Sequence, residues 1–350
     1  MAEKSIFGTL ADGTKIDLYK ITNKNGAYVT LQTLGAGIQS LYMPDRNGKL
    51  ADVVLGFDNP QDYTNPDLGY QGLVVGRWAN RIRDAKFTFN GKQYTTPMNQ
   101  GQWTLHSGGR FSFTAWEVEE EGDDFVTFKR FSPDGEDGFG GNFTMWVKYT
   151  LTDDNVLRVE YTVLSDEDTV ANPTNHAYFN LSGNPDETVE EHYLQINADY
   201  FTETDDDQLT TGELGELKGT MMDFSSLHKI GDKIDEPFRA IIDGIGYDNN
   251  YCLRSKDFTL QQAAILEHRE SGRKMEVYTD LPGIQLYCGG WLSKDYTAGK
   301  ENGAVKYRRG AALETQFYPD SLHHADCFPV KFVKAGEPFK TVTEFRFFAE

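Results

Sequence analysis

The chain has 350 residues, 39% of them hydrophobic and 25% charged, a composition that excludes a disordered or fibrous protein. Its net charge of −20 comes without any cluster of Lys and Arg. This excludes a nucleic-acid partner, because phosphates are held by such clusters.

In chain order the sequence reads as one strand after another. Ala27-Tyr-Val-Thr-Leu-Gln-Thr33 alternates and is broken by Gly35-Ala-Gly37 before Ile38-Gln-Ser-Leu-Tyr42. Lys86 to Thr95 carries Asn90-Gly91 between two alternating arms, a strong hairpin signal. Phe113 to Glu119 and Phe125 to Phe131 flank an acidic tip at Glu120 to Asp124. Phe143 to Leu151 and Val156 to Val163 are joined through Asp153-Asp-Asn155, and Ala264 to Arg269 meets Arg273 to Tyr278 at Ser271-Gly272. Asp199 to Gly246 reads as long polar loops walling a binding site. Thr341 to Phe348 closes the chain.

Helical periodicity is not sustained anywhere; Gln61 to Tyr63 and Ser225 to Ile230 read as single turns. The expected fold class is all-β, a large antiparallel β-sandwich with few short helices and one domain over residues 1–350. Cys252, Cys288 and Cys327 are odd in number and form no CxxC pair, so neither a disulfide framework nor a structural zinc site is expected. Met1-Ala-Glu-Lys-Ser-Ile-Phe7 shows no apolar signal core, and no run approaches the ~18 apolar residues of a membrane span. A cytoplasmic protein without a membrane partner is the expectation.

GxSxG, a P-loop, HExxH and GxGxxG are all absent. Asp205-Asp-Asp207 fails the EF-hand pattern at Leu209 and Thr210. His323-His324 with Asp326 and Cys327 looks like a metal cluster, but neighbouring side chains on a strand point to opposite faces. No metal and no cofactor are expected.

What remains is a set of isolated polar groups in apolar surroundings. His176 lies between Asn175 and Asn180, beside Tyr178 and Phe179. Short amides can hold a polar ligand, aromatic faces can pack on a sugar ring, and imidazole titrates near pH ~6.5. Glu314 follows Ala311-Ala-Leu313, where a buried carboxylate is costly unless paired with Arg308 or Arg309 or used in function. Asn80 and Arg81, His106, Asp248 in Gly246-Tyr-Asp-Asn, and Gln285 in Pro282-Gly-Ile-Gln complete the set. Carboxylate, guanidinium, amides and two histidines suit a ligand made of hydroxyl groups.

These residues lie in stretches that together resemble the galactose mutarotase (aldose 1-epimerase) family. Gly76-Arg-Trp-Ala-Asn-Arg-Ile82 is similar to the family's GRxANRI, and Leu105-His-Ser-Gly-Gly109 to its LHGG-like stretch. Ser132-Pro-Asp-Gly-Glu-Asp-Gly138, Asn175-His-Ala-Tyr-Phe-Asn-Leu181, Gly246-Tyr-Asp248, Pro282-Gly-Ile-Gln-Leu-Tyr287 and Leu313-Glu-Thr-Gln316 follow in family order. Phe139-Gly-Gly141 departs from the usual Pro-Gly, Ser107 interrupts the His-Gly pair, and Trp78 is a candidate to reshape the pocket.

The resemblance implies a galactose mutarotase-like sandwich that interconverts the α and β anomers of a free aldose through its open-chain aldehyde. It implies Glu314 as the base at O1 and His176 as the acid at O5, with Asn80, Arg81, His106, Asp248 and Gln285 binding the sugar. A neighbouring carboxylate raises a histidine's pKa, so His176 is expected to carry the proton and Glu314 to lack it. The implied partner is a small sugar (galactose, glucose or maltose), the assembly a monomer or homodimer. The alternatives are a maltose epimerase-type relative acting on the reducing end of a disaccharide and a non-catalytic carbohydrate-binding protein. A glycoside hydrolase or polysaccharide lyase is a further rival, though hydrolysis normally uses two carboxylates facing one bond.

Overall fold

The computed structural model describes residues 1–350. Period-two alternation of apolar and polar residues builds its largest sheet. Phe143–Leu151 and Val156–Ser165 bury every second side chain, so one face packs on the core and the other meets solvent. This antiparallel sheet has nine strands, in the order Glu117–Glu121, Phe125–Ser132, Phe143–Leu151, Val156–Ser165, Phe339–Ala349, Arg273–Thr279, Gln261–His268, Tyr193–Ile196 and His228–Lys229.

A five-stranded sheet, running from Glu3–Thr9 to Leu50–Asp52, and a six-stranded sheet lie against its apolar face. The six-stranded sheet has the order Tyr178–Phe179, Ala311–Gln316, Gly283–Tyr287, Asp248–Leu253, Ala198–Thr204 and Thr210–Glu216. Leu31, Leu41, Val147, Val159, Val277, Leu286 and Leu313, contributed by all three sheets, belong to one apolar cluster. Each such buried side chain contributes about 1.5–3 kcal/mol. Thr315 Oγ1 and Thr343 Oγ1, 2.5 Å apart, tie the six-stranded sheet to the nine-stranded one.

The fold is the expected antiparallel sandwich, and Arg239–Gly244 is its one α-helix. At Asn90-Gly91 both residues have positive φ, 49° and 76°, the conformation a two-residue hairpin needs. Some expectations are corrected. Phe113 to Trp116 is irregular apart from an isolated bridge of Ala115 to Leu34, and the strand starts at Glu117. His323 and His324 lie in a turn instead of on a strand. Asp199 to Gly246 is not a loop region. It carries most of the hairpin Ala198–Thr204/Thr210–Glu216 and the helix, because alternation there is masked by threonines and acids that tolerate an edge.

The central strands of the six-stranded sheet are buried on both faces; every residue of Gly283–Tyr287 and Ala311–Gln316 is inside. One face is the sandwich core. The other is roofed by loops from residues 66–81 and 99–106, and between this face and its roof lies a pocket.

Candidate active site

The pocket has a volume of about 390 Å³, within the ~300–1,000 Å³ usual for small-molecule sites. Strand register sets its floor. Glu314 pairs with Gln285, Gln285 with Asn250, and Tyr287 with both Ala312 and Asp248. Ala311 and Leu313 point into the core, so Glu314, between them and Gln316, faces the pocket. His176 lies between the short strands Thr174–Asn175 and Tyr178–Phe179. Its Nε2 stands 3.5 Å from Glu314 Oε1, with both side chains at least 95% buried. Glu314 Oε2 and His176 Nδ1 have no hydrogen-bond partner.

Ion pairing does not explain the carboxylate. Arg308 is taken by Glu190 and Asp235, and Arg309 by Asp186. Burial raises the Glu314 carboxyl well above its ordinary value; the nearby Asp248 adds to this and Arg81 opposes it. Burial lowers the His176 imidazole to about 4. Burial thus works against the expected proton placement. Desolvation outweighs attraction at this depth, so burial disfavours the imidazolium of His176 and favours the protonated form of Glu314.

His106 and Asn80 form a reciprocal clip. His106 N donates to Asn80 O at 3.0 Å and Asn80 N donates to His106 Nδ1 at 3.1 Å. Both residues have left-handed backbones, φ 51° and 64°, a strain that persists only where surroundings enforce it. Since Nδ1 accepts, Nε2 of the neutral ring carries the hydrogen and acts as a donor. Burial, with His176 and Arg81 nearby, keeps His106 far below its ordinary pKa. The ring packs on Tyr70 at 4.9 Å and on His176 at 5.4 Å.

Arg81 donates its Nε to Gln100 Oε1 and its Nη2 to Gln208 Oε1, both at 3.0 Å, with Asp248 Oδ2 at 3.8 Å. Asn80, Arg81, His106, His176, Asp248 and Glu314 all line the pocket. Gln285 does not. Its Nε2 donates to Asp248 Oδ1 at 2.8 Å, so it orients the aspartate from behind. Asn175 and Asn180 turn inward too: their amides bind Gly72 O, and Glu187 O and Arg309 O, at 2.8 Å each. Trp78 is fully buried against Phe317 and leaves the pocket unchanged. Ser107 accepts from Trp78 N and donates to Trp78 O. Arg77 reaches the carbonyls of Ser132, Pro133, Gly140 and Gly141, giving that motif a structural task.

The floor also includes Tyr178, whose hydroxyl is buried and unpartnered. Trp291, 54% exposed, and Tyr296 stand at the mouth. Tyr178 is one of the two aromatics that the sequence places beside His176 for packing on a ring, whereas Trp291, Gln100 and Gln208 were missed. Those three carry no local pattern.

His106, His176 and Glu314 each offer an atom within 4.8 Å of the others, close enough for a cation. The Asn80–His106 bond opposes this, because Nε2 would have to give up its hydrogen while Nδ1 faces a backbone donor. At the other cluster, Asp320 Oδ1 accepts from His323 Nδ1 at 2.7 Å and from Arg83 N at 3.1 Å.

A sequence model of the family described as aldose 1-epimerase matches residues 17–346. A galactose mutarotase from Sus scrofa is 37% identical over 98% of each chain. An aldose 1-epimerase from Escherichia coli K12 is 34% identical over 97% of each. Among solved structures, an aldose epimerase homologue from C. elegans superposes with a TM-score of 0.84 at 32% identity, covering 95% of this chain and 98% of that one. A galactose 1-epimerase from Lactobacillus acidophilus, at 24% identity and a TM-score of 0.83 over 99% and 98%, shares the fold.

Proposed function

The chain belongs to the aldose 1-epimerase family, and on that premise we propose that Glu314 and His176 interconvert the α and β anomers of a free aldose. The observation that carries the assignment is a buried carboxylate and imidazole 3.5 Å apart, each keeping an unpartnered atom at the floor of the pocket. O1 and O5 of a pyranose share carbon C1, so a base and an acid this close can serve both oxygens at once. With the closed sugar bound, the pair's proton moves to His176. Glu314 then takes the proton of the O1 hydroxyl, the C1–O5 bond breaks, and His176 gives its proton to O5. The pair ends as protonated Glu314 and neutral His176, the placement that burial already favours. Rotation about C1–C2 and the reverse transfers close the opposite anomer. Each positioned group is worth roughly 10²–10⁴-fold in rate.

His106 Nε2–H and Arg81 donate to O5 or a neighbouring hydroxyl, and Asn80 and Asp248 hold the others, with Gln285 fixing Asp248. Arg81 is the lone Arg or Lys in the lining, against Asp67, Asp248 and Glu314. That supports an uncharged sugar over a phosphorylated one. A second reading, action on the reducing end of a disaccharide, draws support from Trp291. With O1 and O5 at the floor, the C3–C4 edge points outward, and an exposed indole at the mouth suits a second ring linked there.

The proposal treats residues 1–350 as one unit, supported by a shared apolar cluster running from Ala2 to Phe347. No helix is long and apolar enough to cross a membrane. The cytoplasmic location remains part of the proposal, supported by three free cysteines. Sedimentation separates monomer from homodimer.

Polarimetry on freshly dissolved α-galactose, α-glucose and α-maltose tests the reading. Faster approach to rotational equilibrium without new products supports it. No acceleration of any sugar makes the protein a binder, and shortened oligosaccharides make it a hydrolase.

A further inference from the structure

Arg81 is held by two neutral glutamines, while the nearest carboxylate, Asp248, stands at 3.8 Å. We propose that Gln208 is a positioning residue for this arginine: it fixes the guanidinium plane at the pocket without adding a second carboxylate beside Asp248 to offset the charge that meets the sugar. The inference rests on Arg81 as a sugar ligand.

A guanidinium is planar and carries five N–H donors in a fixed fork. Gln100 takes the Nε donor and Gln208 one donor on Nη2. Two bonds in one plane fix that plane, which sets the direction of the remaining donors. The Gln208 amide has one workable orientation. Its Nε2 donates to the carbonyl of Asp243 in the helix Arg239–Gly244. Flipping the amide would set donor against donor at Arg81 and oxygen against oxygen at Asp243.

The backbone beneath Gln208 is equally determined. Gln208 has φ 59° at the tip of the hairpin Ala198–Thr204/Thr210–Glu216. The Oδ1 of Asp205 accepts from Asp207 N and Leu209 N at 3.0 Å, and its Oδ2 accepts from Arg83 Nη2 at 2.7 Å. The tip is thus pinned to Arg81 and Arg83, two residues apart on the roof segment. Arg83 also donates to Thr210 O at 3.2 Å and Arg239 pairs with Asp206 at 2.6 Å, so the tip has holds that do not involve Arg81, whose contact ends in the pocket.

Neutrality is the chemical point. A carboxylate at position 208 would accept the same hydrogen bond but would pair with Arg81, and its second oxygen would face the Asp243 carbonyl. Arg81 would then polarise sugar oxygens less. It would also oppose the charge of Asp248 less at Glu314, where the two act in opposite directions.

Steady-state polarimetry with thermal unfolding on four variants tests this. Gln208→Met, isosteric but without the acceptor, should raise KM about fivefold to tenfold, the scale of one hydrogen bond, with kcat and the unfolding midpoint near wild type. Gln208→Glu should not rescue KM, and should move the alkaline limb of the kcat/KM profile to higher pH. Asp205→Asn loosens the tip without touching the amide and should keep KM within about twofold of wild type. Wild-type KM in Gln208→Met, or an equal rise in Asp205→Asn, overturns the inference. If Arg81→Met raises KM while Gln208→Met does not, the inference falls and Arg81 remains a sugar ligand. If Arg81→Met itself binds normally, the assignment of Arg81 falls and takes the inference with it.

Discussion

At Glu314 and His176 burial opposes the charge that each would carry in water, and both effects favour the uncharged forms, one proton on the pair. The imidazole is lowered to about 4 and the carboxyl is raised well above its ordinary value, both chiefly by burial. Below about pH 4 the imidazole takes a second proton and no base remains. Above the raised Glu314 value the pair loses its proton and no acid remains. The pH profile of kcat/KM should therefore show an acid limb well below the ordinary histidine range and an alkaline limb above the ordinary carboxylate range, limbs that belong to the pair and not to either residue. A histidine-like limb near pH ~6.5 would contradict the protonation scheme. Asp248 has a different task in the proposal, holding sugar hydroxyls from the pocket wall with Gln285 behind it. Loss of a hydrogen bond to a charged group costs ~1.5–3 kcal/mol, so Asp248→Ala should raise KM by about tenfold to a hundredfold and leave kcat within a few-fold. A collapse of kcat with normal KM would make it a proton carrier instead. The His106 tautomer bears on metals: with Nδ1 bound to Asn80 N, activity should survive exhaustive EDTA treatment. Loss on chelation, restored by zinc, would reassign the site.

Local elements were readable from sequence where a turn or an alternation was enough to define them. Asn90-Gly91 and Ser271-Gly272 are hairpin turns in the structure because positive φ is cheap for Asn and Gly. Asp199 to Gly246 was not readable, because its role depends on where the hairpin tip lands. Gln208 meets Arg81, 127 residues away, and nothing local signals that contact. The same holds for Gln285, whose strand was readable while its partner Asp248 was set by register. One turn is decisive for the site. Gly72, φ 68°, donates to His176 O at 2.9 Å and accepts from Asn175 Nδ2 at 2.8 Å. A Cβ there would sit 2.1 Å from Ile38 O, a backbone atom with little room to move. Gly72→Ala should destabilise the fold by about 1–3 kcal/mol or more and reduce turnover by shifting His176. A wild-type unfolding midpoint in this variant would show that the turn is slack.

Across the whole molecule the fold was legible because alternating strands recur from end to end and the motif stretches occur in order along the chain. The sheet order was not legible: the strand Phe339–Ala349 inserts between Val156–Ser165 and Arg273–Thr279, and Tyr178–Phe179 pairs with Ala311–Gln316. Those long-range pairings bring a histidine from mid-chain and a glutamate from near its end to 3.5 Å. The sequence could name both residues but could not weigh the burial that works against a charged pair. That pairing is the centre of the account, and the kcat of Glu314→Gln and His176→Asn, followed by polarimetry on folded protein, tests it most directly. Both substitutions keep shape and remove proton transfer, so each should lower kcat by roughly 10²–10⁴-fold with a modest change in KM. Near-normal kcat in either variant would contradict the assignment.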